Sequence, residues 1–288
     1  MTRRGFIASS SLAAVGSLTS APVRSLIGGR IVEETPSGPP TASSYVKDGL
    51  IGMWDGIENA GLGVHDESAQ TWTDLTGLTG DAIKIGSPSW TINAGATSGN
   101  NNIFRVAFNN SSPLISAIKG GEWTLELCFS HDYDSFASRC PFSIEDSSGT
   151  SSTYRIVQVF QNAQEGYKVA WMNKTSTNLL SSVSDAVGSK FGTYTVSVST
   201  SNVNLIYSPY WNGTEGIRGT QNTSYSYIFP PSTIDSVGVD TWYMRIGRTH
   251  NNYMTARFHS IRMYNHALKA SEVQKNSMID KIRFEDNA

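Results

Sequence analysis

The stretch FHSIRMYNHALKASEV, residues 258–273, changes its period halfway along. Up to Asn265 it alternates as a strand does. Ile261 and Met263 fall on one face with His259, and Phe258, Ser260, Arg262 and Tyr264 on the other. From Ala267 onward the spacing turns helical, with Leu268, Val273 and Met278 as anchors. A strand that runs straight into a terminal helix closes a domain. In that setting His259 and His266 read as structural side chains rather than as a catalytic pair. Glu272 sits in the first turns of the helix, where a carboxylate favours the macrodipole.

Upstream, the chain is strand after strand. Residues 50–54, 103–108, 122–130, 153–160, 166–172, 194–199, 203–208 and 242–247 are short and rich in β-branched and aromatic residues, with Gly, Asn, Ser or Pro at their ends. In 122–130, Trp123, Leu125, Leu127 and Phe129 share one face and Thr124, Glu126 and Cys128 the other. The tail after Leu268 is the sole helix candidate of any length. The expected fold is all-β: a two-sheet antiparallel β-sandwich with a short C-terminal helix. A chain of 288 residues accommodates this as one large unit. Its 22 basic and 24 acidic residues are scattered, which leaves no electrostatic footprint for nucleic acid or an anionic membrane.

The closing stretch is similar to the end of laminin-G-like domains in the concanavalin A-like lectin/glucanase superfamily. Residues 261–268 (Ile-Arg-Met-Tyr-Asn-His-Ala-Leu) and Glu272-Val273 carry that likeness. Arg245-Ile246-Gly247-Arg248, Tyr253 to Phe258, Trp123 to Leu127, Gly49 to Gly56 and Thr71 to Gly77 resemble the family's other segments in the right order. The resemblance covers the chain from about Tyr45 to its end and implies a jelly-roll, concanavalin A-like sandwich. There are departures. His259 stands where the family often has an acid, Ala256 where it has a glycine, and Lys269 where it has a Ser or Thr helix cap. Lys269 cannot accept the first backbone N–H bonds, so the helix is expected to fray or to start elsewhere, with Ser271 as an alternative cap.

The superfamily's glucanases carry two glutamates and an aspartate at alternate positions of one strand, facing a single cleft. That spacing is absent: Glu122 and Glu126 have Thr124 between them, and Glu145-Asp146 are adjacent. No nucleophile elbow, zinc-protease helix, P-loop or dinucleotide fingerprint occurs either. The resemblance therefore implies a non-catalytic recognition domain, with a glycan or glycosylated surface as partner. A glycoside hydrolase with a non-standard carboxylate pair and a structural or adhesive surface protein are the alternatives. For ligand contacts, residues 207–214 concentrate Tyr207, Tyr210, Trp211 and Asn212 in an apparent turn, and Trp90 stands near Asn93. Such rings would stack on a sugar face. Their other reading is that they cover the end of the sandwich. Trp54, Trp72, Trp123 and Trp171 read as core. Asp132 and Asp134 offer oxygen ligands that suit calcium, and a solvated acidic turn is the alternative.

Residues 1–21 have the form of a signal peptide. Arg3-Arg4 lie within Thr2 to Ile7, which resembles a twin-arginine export motif, and a mildly apolar stretch too short to span a bilayer follows. Residues 22–44 are Pro-, Gly- and Ser-rich and read as a linker, with the sandwich spanning 45–288. The expected location is periplasmic, cell-surface or extracellular, with no membrane span in the mature protein. In such a compartment Cys128 and Cys140 could form a disulfide; two unpaired thiols are the other reading.

Overall fold

The computed structural model describes residues 23–27, 30–34, 38–98, 101–131, 139–146, 155–162, 166–173, 176–183, 191–201, 204–222, 234, 241–248 and 253–285. The chain divides into two units, Met1–Pro39 and Pro40–Ala288. In the first, β1 (Val23–Ile27) and β2 (Arg30–Glu34) pair as an antiparallel ribbon. This ribbon lies within the stretch read as a linker. The second unit begins before Tyr45, with a 3-10 turn at Ala42–Ser44 capped by the Thr41 side chain.

Among the described residues the second unit is two antiparallel sheets. The eight-stranded sheet runs from β4 (Thr71–Trp72) through β5 (Ala82–Ile85), β8 (Ile103–Asn109), β18 (Thr241–Ile246), β10 (Arg139–Asp146), β11 (Arg155–Asn162) and β12 (Gly166–Asn173) to β13 (Ser176–Val183). The nine-stranded sheet runs β6 (Ser89–Thr91), β7 (Ala94–Thr97), β19 (Ala256–Tyr264), β9 (Trp123–Ser130), β14 (Phe191–Ser201), β15 (Asn204–Trp211). There β3 (Leu50–Asp55) adds to β19, and β16 (Thr214–Glu215) and β17 (Gly219–Asn222) add to β15. Phe104, Val106, Phe142, Ile144, Trp242 and Met244 of the first sheet share one buried core with Leu125, Leu127, Val196, Val198, Tyr207 and Ile261 of the second. This is the two-sheet sandwich that alternation implies.

Alternation breaks within the opening stretch itself. Phe258 pairs with Phe129 of β9, yet the next partner, Cys128, faces Ser260. One extra residue in β19 makes a bulge and inverts the phase of the pleat. Phe258 therefore joins Ile261 and Met263 in the core between the sheets, whereas His259 sits on the opposite face with Ser260 and Arg262. The expected grouping of His259 with Ile261 and Met263 is corrected accordingly.

Two helices accompany the sheets. The first, α1 (Pro113–Gly120), has no counterpart among the sequence-based expectations, although its ends are signalled. Ser112 caps it by accepting the Ile115 N–H (3.2 Å), Pro113 opens it, and Gly121 closes it in the left-handed region. The second, α2 (Ala270–Phe284), starts at Lys269 after all. Glu272 supplies half of a capping box by accepting the Lys269 N–H at 2.8 Å. Just before it, the Thr124 hydroxyl accepts from the Leu268 N–H and donates to the His266 carbonyl, both at 2.9 Å. That pair of bonds ties the strand-to-helix link to β9. No described helix is long and apolar enough to cross a membrane.

Candidate functional site

The expected aromatic platform is in the core. Tyr207, Tyr210 and Trp211 are buried. Tyr207 and Trp211 point between the sheets, where Trp211 stacks on Tyr167 with ring centres 5.4 Å apart. Tyr210 points the other way, into a small cluster with Val46, Tyr264, Leu268 and Val273. The residues are strand rather than turn because Pro209 falls between the two partners on that side of β15, β17 at 204–207 and β16 at 210–211. The missing N–H leaves no ladder bond unmade there. The turn itself is Asn212-Gly213, both at positive φ (48° and 80°), as a tight hairpin requires. Asn212 is exposed, and its side chain accepts the Thr193 N–H at 2.8 Å. Trp90 is also buried, packed against Trp72 and Phe104, with its Nε1–H donated to the Ala69 carbonyl (2.8 Å). Trp54, Trp72 and Trp123 are core as expected, and the Trp171 side chain lies outside those described. Asp132 and Asp134 also lie outside the described residues. Among the described residues no three His, Cys, Asp or Glu side chains are grouped to hold a metal ion. Cys128 and Cys140 are free, buried thiols in different sheets, so the disulfide reading gives way to two small core residues.

Polar side chains gather instead on the two outer faces of the sandwich. On the nine-stranded sheet, α2 covers a sealed ionic network. Arg262, fully buried, holds Glu126 through Nε (2.7 Å) and Asp280 through both terminal nitrogens (2.8 and 2.6 Å). Its guanidinium lies 4.0 Å from the Tyr45 ring centre. Asp280 also accepts from the hydroxyls of Tyr45, Thr193 and Ser260. Asn276 donates to Glu126 (2.9 Å), and Arg283 pairs with Asp55 and Glu58. Burial pushes the Asp280 carboxyl up, but the Arg262 charge and the hydrogen bonds from Arg262, Tyr45 and Thr193 outweigh it and hold the pKa below the usual range. Burial wins at Glu126 and Asp55, whose pKa values are raised despite Arg262 and Arg283. Next to this network, His259 donates Nδ1–H to the Asn93 carbonyl (3.2 Å), which leaves Nε2 to accept from Ser130 (2.9 Å). Burial pushes its pKa down to about 4, so it is neutral at pH 7. Glu126, Asp280, Asp55 and Glu58 converge here, buried and ion-paired with two arginines.

The outer face of the eight-stranded sheet is built differently. Arg105 of β8 stands directly opposite Arg245 of β18. Two residues along, Tyr243 pairs with Glu145 of β10, and Glu145 with Arg155 of β11. A register shift in β11 between Val157 and Arg155 is what brings Arg155 onto this face. Glu145 forms ion pairs with Arg245 and with Arg155 (3.4 Å to the latter). The Arg105 guanidinium lies 4.4 Å from the Tyr243 ring centre. Its Nε is buried and meets no hydrogen-bond acceptor among the described residues. Exposure grades across the face: Ile83 and Ala107 are exposed, Arg105, Tyr243 and Arg245 half-buried, Glu145 and Arg155 buried. Arg248, just past β18, has its pKa lowered by burial and then by the charge of Arg245.

Two depressions lie elsewhere. One of about 520 Å³ is lined by Pro113, Ser116, Ala117, Gly120, Glu122 and Asn265. The other, about 320 Å³, includes Thr97, Ser98, Ser130, His131 and Arg257. Neither places two arginines side by side, so the open sheet face is the stronger candidate.

No family model and no curated protein matches this sequence. Solved structures do match in shape. A Trypanosoma rangeli sialidase in complex with 2,3-difluorosialic acid superposes with a TM-score of 0.53 at 13% identity, over 94% of this chain and 37% of that one. The binding domain of botulinum neurotoxin DC in complex with SialylT gives 0.51 at 11% identity, over 82% of this chain and 52% of that one. The chain thus spans about a third of the first structure's length and half of the second's, and at such identities the likeness is one of fold: the β-sandwich.

Proposed function

We propose that the chain is the recognition part of an exported protein, a concanavalin A-like, laminin-G-like sandwich that binds a carbohydrate or glycoconjugate without turning it over. The observation that carries this reading is the outer face of the eight-stranded sheet. Arg105, Tyr243 and Arg245 stand half-buried there beside exposed Ile83 and Ala107. A few fixed donors around an aromatic ring are the ordinary make-up of a sugar-binding surface. Two structural neighbours were solved with sialic-acid-type ligands, which agrees with this reading. The carboxylates support the non-catalytic reading: Glu145 is ion-paired with two arginines, and those that converge under α2 are buried. The twin-arginine-like residues Thr2 to Ile7 support the export part of this reading, to the periplasm, the cell surface or the medium.

The test is a broad glycan and polysaccharide array probed with the full chain, in calcium and in chelator. Saturable binding to one glycan class is the expected result. Release by chelator would bring Asp132 and Asp134 forward as calcium ligands. No binding in either condition would overturn the carbohydrate reading in favour of a protein partner.

A further inference from the structure

We propose that the outer face of the eight-stranded sheet selects an anionic sugar, whose carboxylate or sulfate bridges Arg105 and Arg245. This rests on the carbohydrate reading above and names its ligand class.

Register and charge carry it. Two arginines at directly opposed positions of neighbouring strands repel each other, and such pairs destabilise a sheet. Among the described side chains of this face, Arg105, Arg155 and Arg245 face one acid, Glu145, an excess of two positive charges. Glu145 is already taken by Arg245 and Arg155. Arg105 is left with a ring for a neighbour and a buried Nε–H without an acceptor among the described residues. A buried donor with no acceptor costs free energy, and an anion beside the Arg105 guanidinium would offset the charge it leaves uncompensated among the described residues. A guanidinium is well shaped for such a ligand, because its planar fork fits a carboxylate or sulfate with two parallel bonds. The geometry is also held ready. Tyr243 stacks under Arg105, and the Glu145 ion pair holds Arg245. Whole-chain charge sets the size of the ligand. At net −2, with charges scattered, the protein has no footprint for a polyanion. A local excess of this size matches a single anionic group on a sugar whose ring lies against Tyr243, beside Ile83 and Ala107.

The experiment titrates the full chain with sialyllactose, trigalacturonic acid, a monosulfated lactose, lactose and galactobiose, at low and moderate salt. Wild type, Arg105→Ala and Arg105→Lys are compared, each first shown to melt as wild type does. The expected result is binding of one or more acidic probes over the neutral pair, weakened by salt. Arg105→Ala should lose at least tenfold in affinity. Arg105→Lys, which keeps the charge but not the fork, should fall between. The carboxylated and sulfated arms identify which anion is read. Equal binding of lactose and sialyllactose would overturn the inference and leave the carbohydrate reading standing. So would acidic binding that is indifferent to Arg105. Binding of none of the five, with a neutral polysaccharide captured on the array, would overturn it too, and silence in both assays would remove both readings.

Discussion

The two outer faces of the sandwich both carry buried charge, and they handle it in opposite ways. Under α2, Arg262 and Arg283 each pair with two carboxylates, and hydroxyls and Asn276 donate to Asp280 and Glu126 as well. On the other face, Arg155 and Arg245 share Glu145, and Arg245 stands opposite Arg105, which lies over the Tyr243 ring. The first arrangement is complete within the chain. Among the described residues, the second leaves the Arg105 Nε–H without an acceptor. A closed network holds a helix onto a sheet, whereas an open one is suited to a ligand.

The largest effect that would break this contrast is on stability. Replacing Arg262 by Met leaves Glu126 and Asp280 buried without their cation and is expected to cost ~3–5 kcal/mol in denaturant unfolding. Near wild-type stability would mean that the network does not lock the helix. Next comes His259. Its unfolded pKa is ~6.5 and burial pushes the folded value down to about 4, so the unfolded chain takes up the proton first as pH falls. Its contribution is full above pH ~6.5 and is lost towards pH 4, ~3 kcal/mol in all. His259→Gln should flatten that slope. The difference between the two proteins is the quantity to measure, because the raised pKa values of Asp55 and Glu126 act with opposite sign in acid. A smaller effect is expected at Gly192, where an added Cβ would lie 2.3 Å from the Trp211 ring. Gly192→Ala should cost ~1–3 kcal/mol through overpacking, and unchanged melting would show that Trp211 is free to move. The smallest effect sharpens the contrast. Arg105→Ala should leave stability within ~0.5 kcal/mol or raise it slightly, since it removes a like-charge pair. Both thiols should resist a thiol reagent until the chain unfolds, and a reductant should leave the melting temperature unchanged.

The strands were readable because their apolar residues alternate over a core that accepts nothing else; β8, β9, β14 and β18 lie where the pattern puts them. The helices were harder for two different reasons. α1 is a short segment marked by Ser112-Pro113 and Gly121 rather than by length. α2 buries Asn276, Asp280 and Arg283 along with Val273 and Phe284, so its inward stripe is largely polar and hydrophobic periodicity under-reports it. Met278, expected as an anchor, is exposed. Aromatic clustering at 207–214 misled because ring-rich turns and ring-rich strands look alike until Pro209 is placed between two partners. The arginine face left a faint signal: Arg105 and Arg245 each occupy the outward phase of an apolar strand. Only strand order makes them neighbours, and that is not written in either segment alone.

The most direct measurement is a side-chain NMR titration that follows the arginine Nε–H resonances while the best acidic probe is added. Saturable shifts at Arg105 and Arg245, with Arg262 and Arg283 unmoved, are the expected result. Shifts confined to the arginines under α2, or to none, would contradict the assignment of one face to locking and the other to recognition.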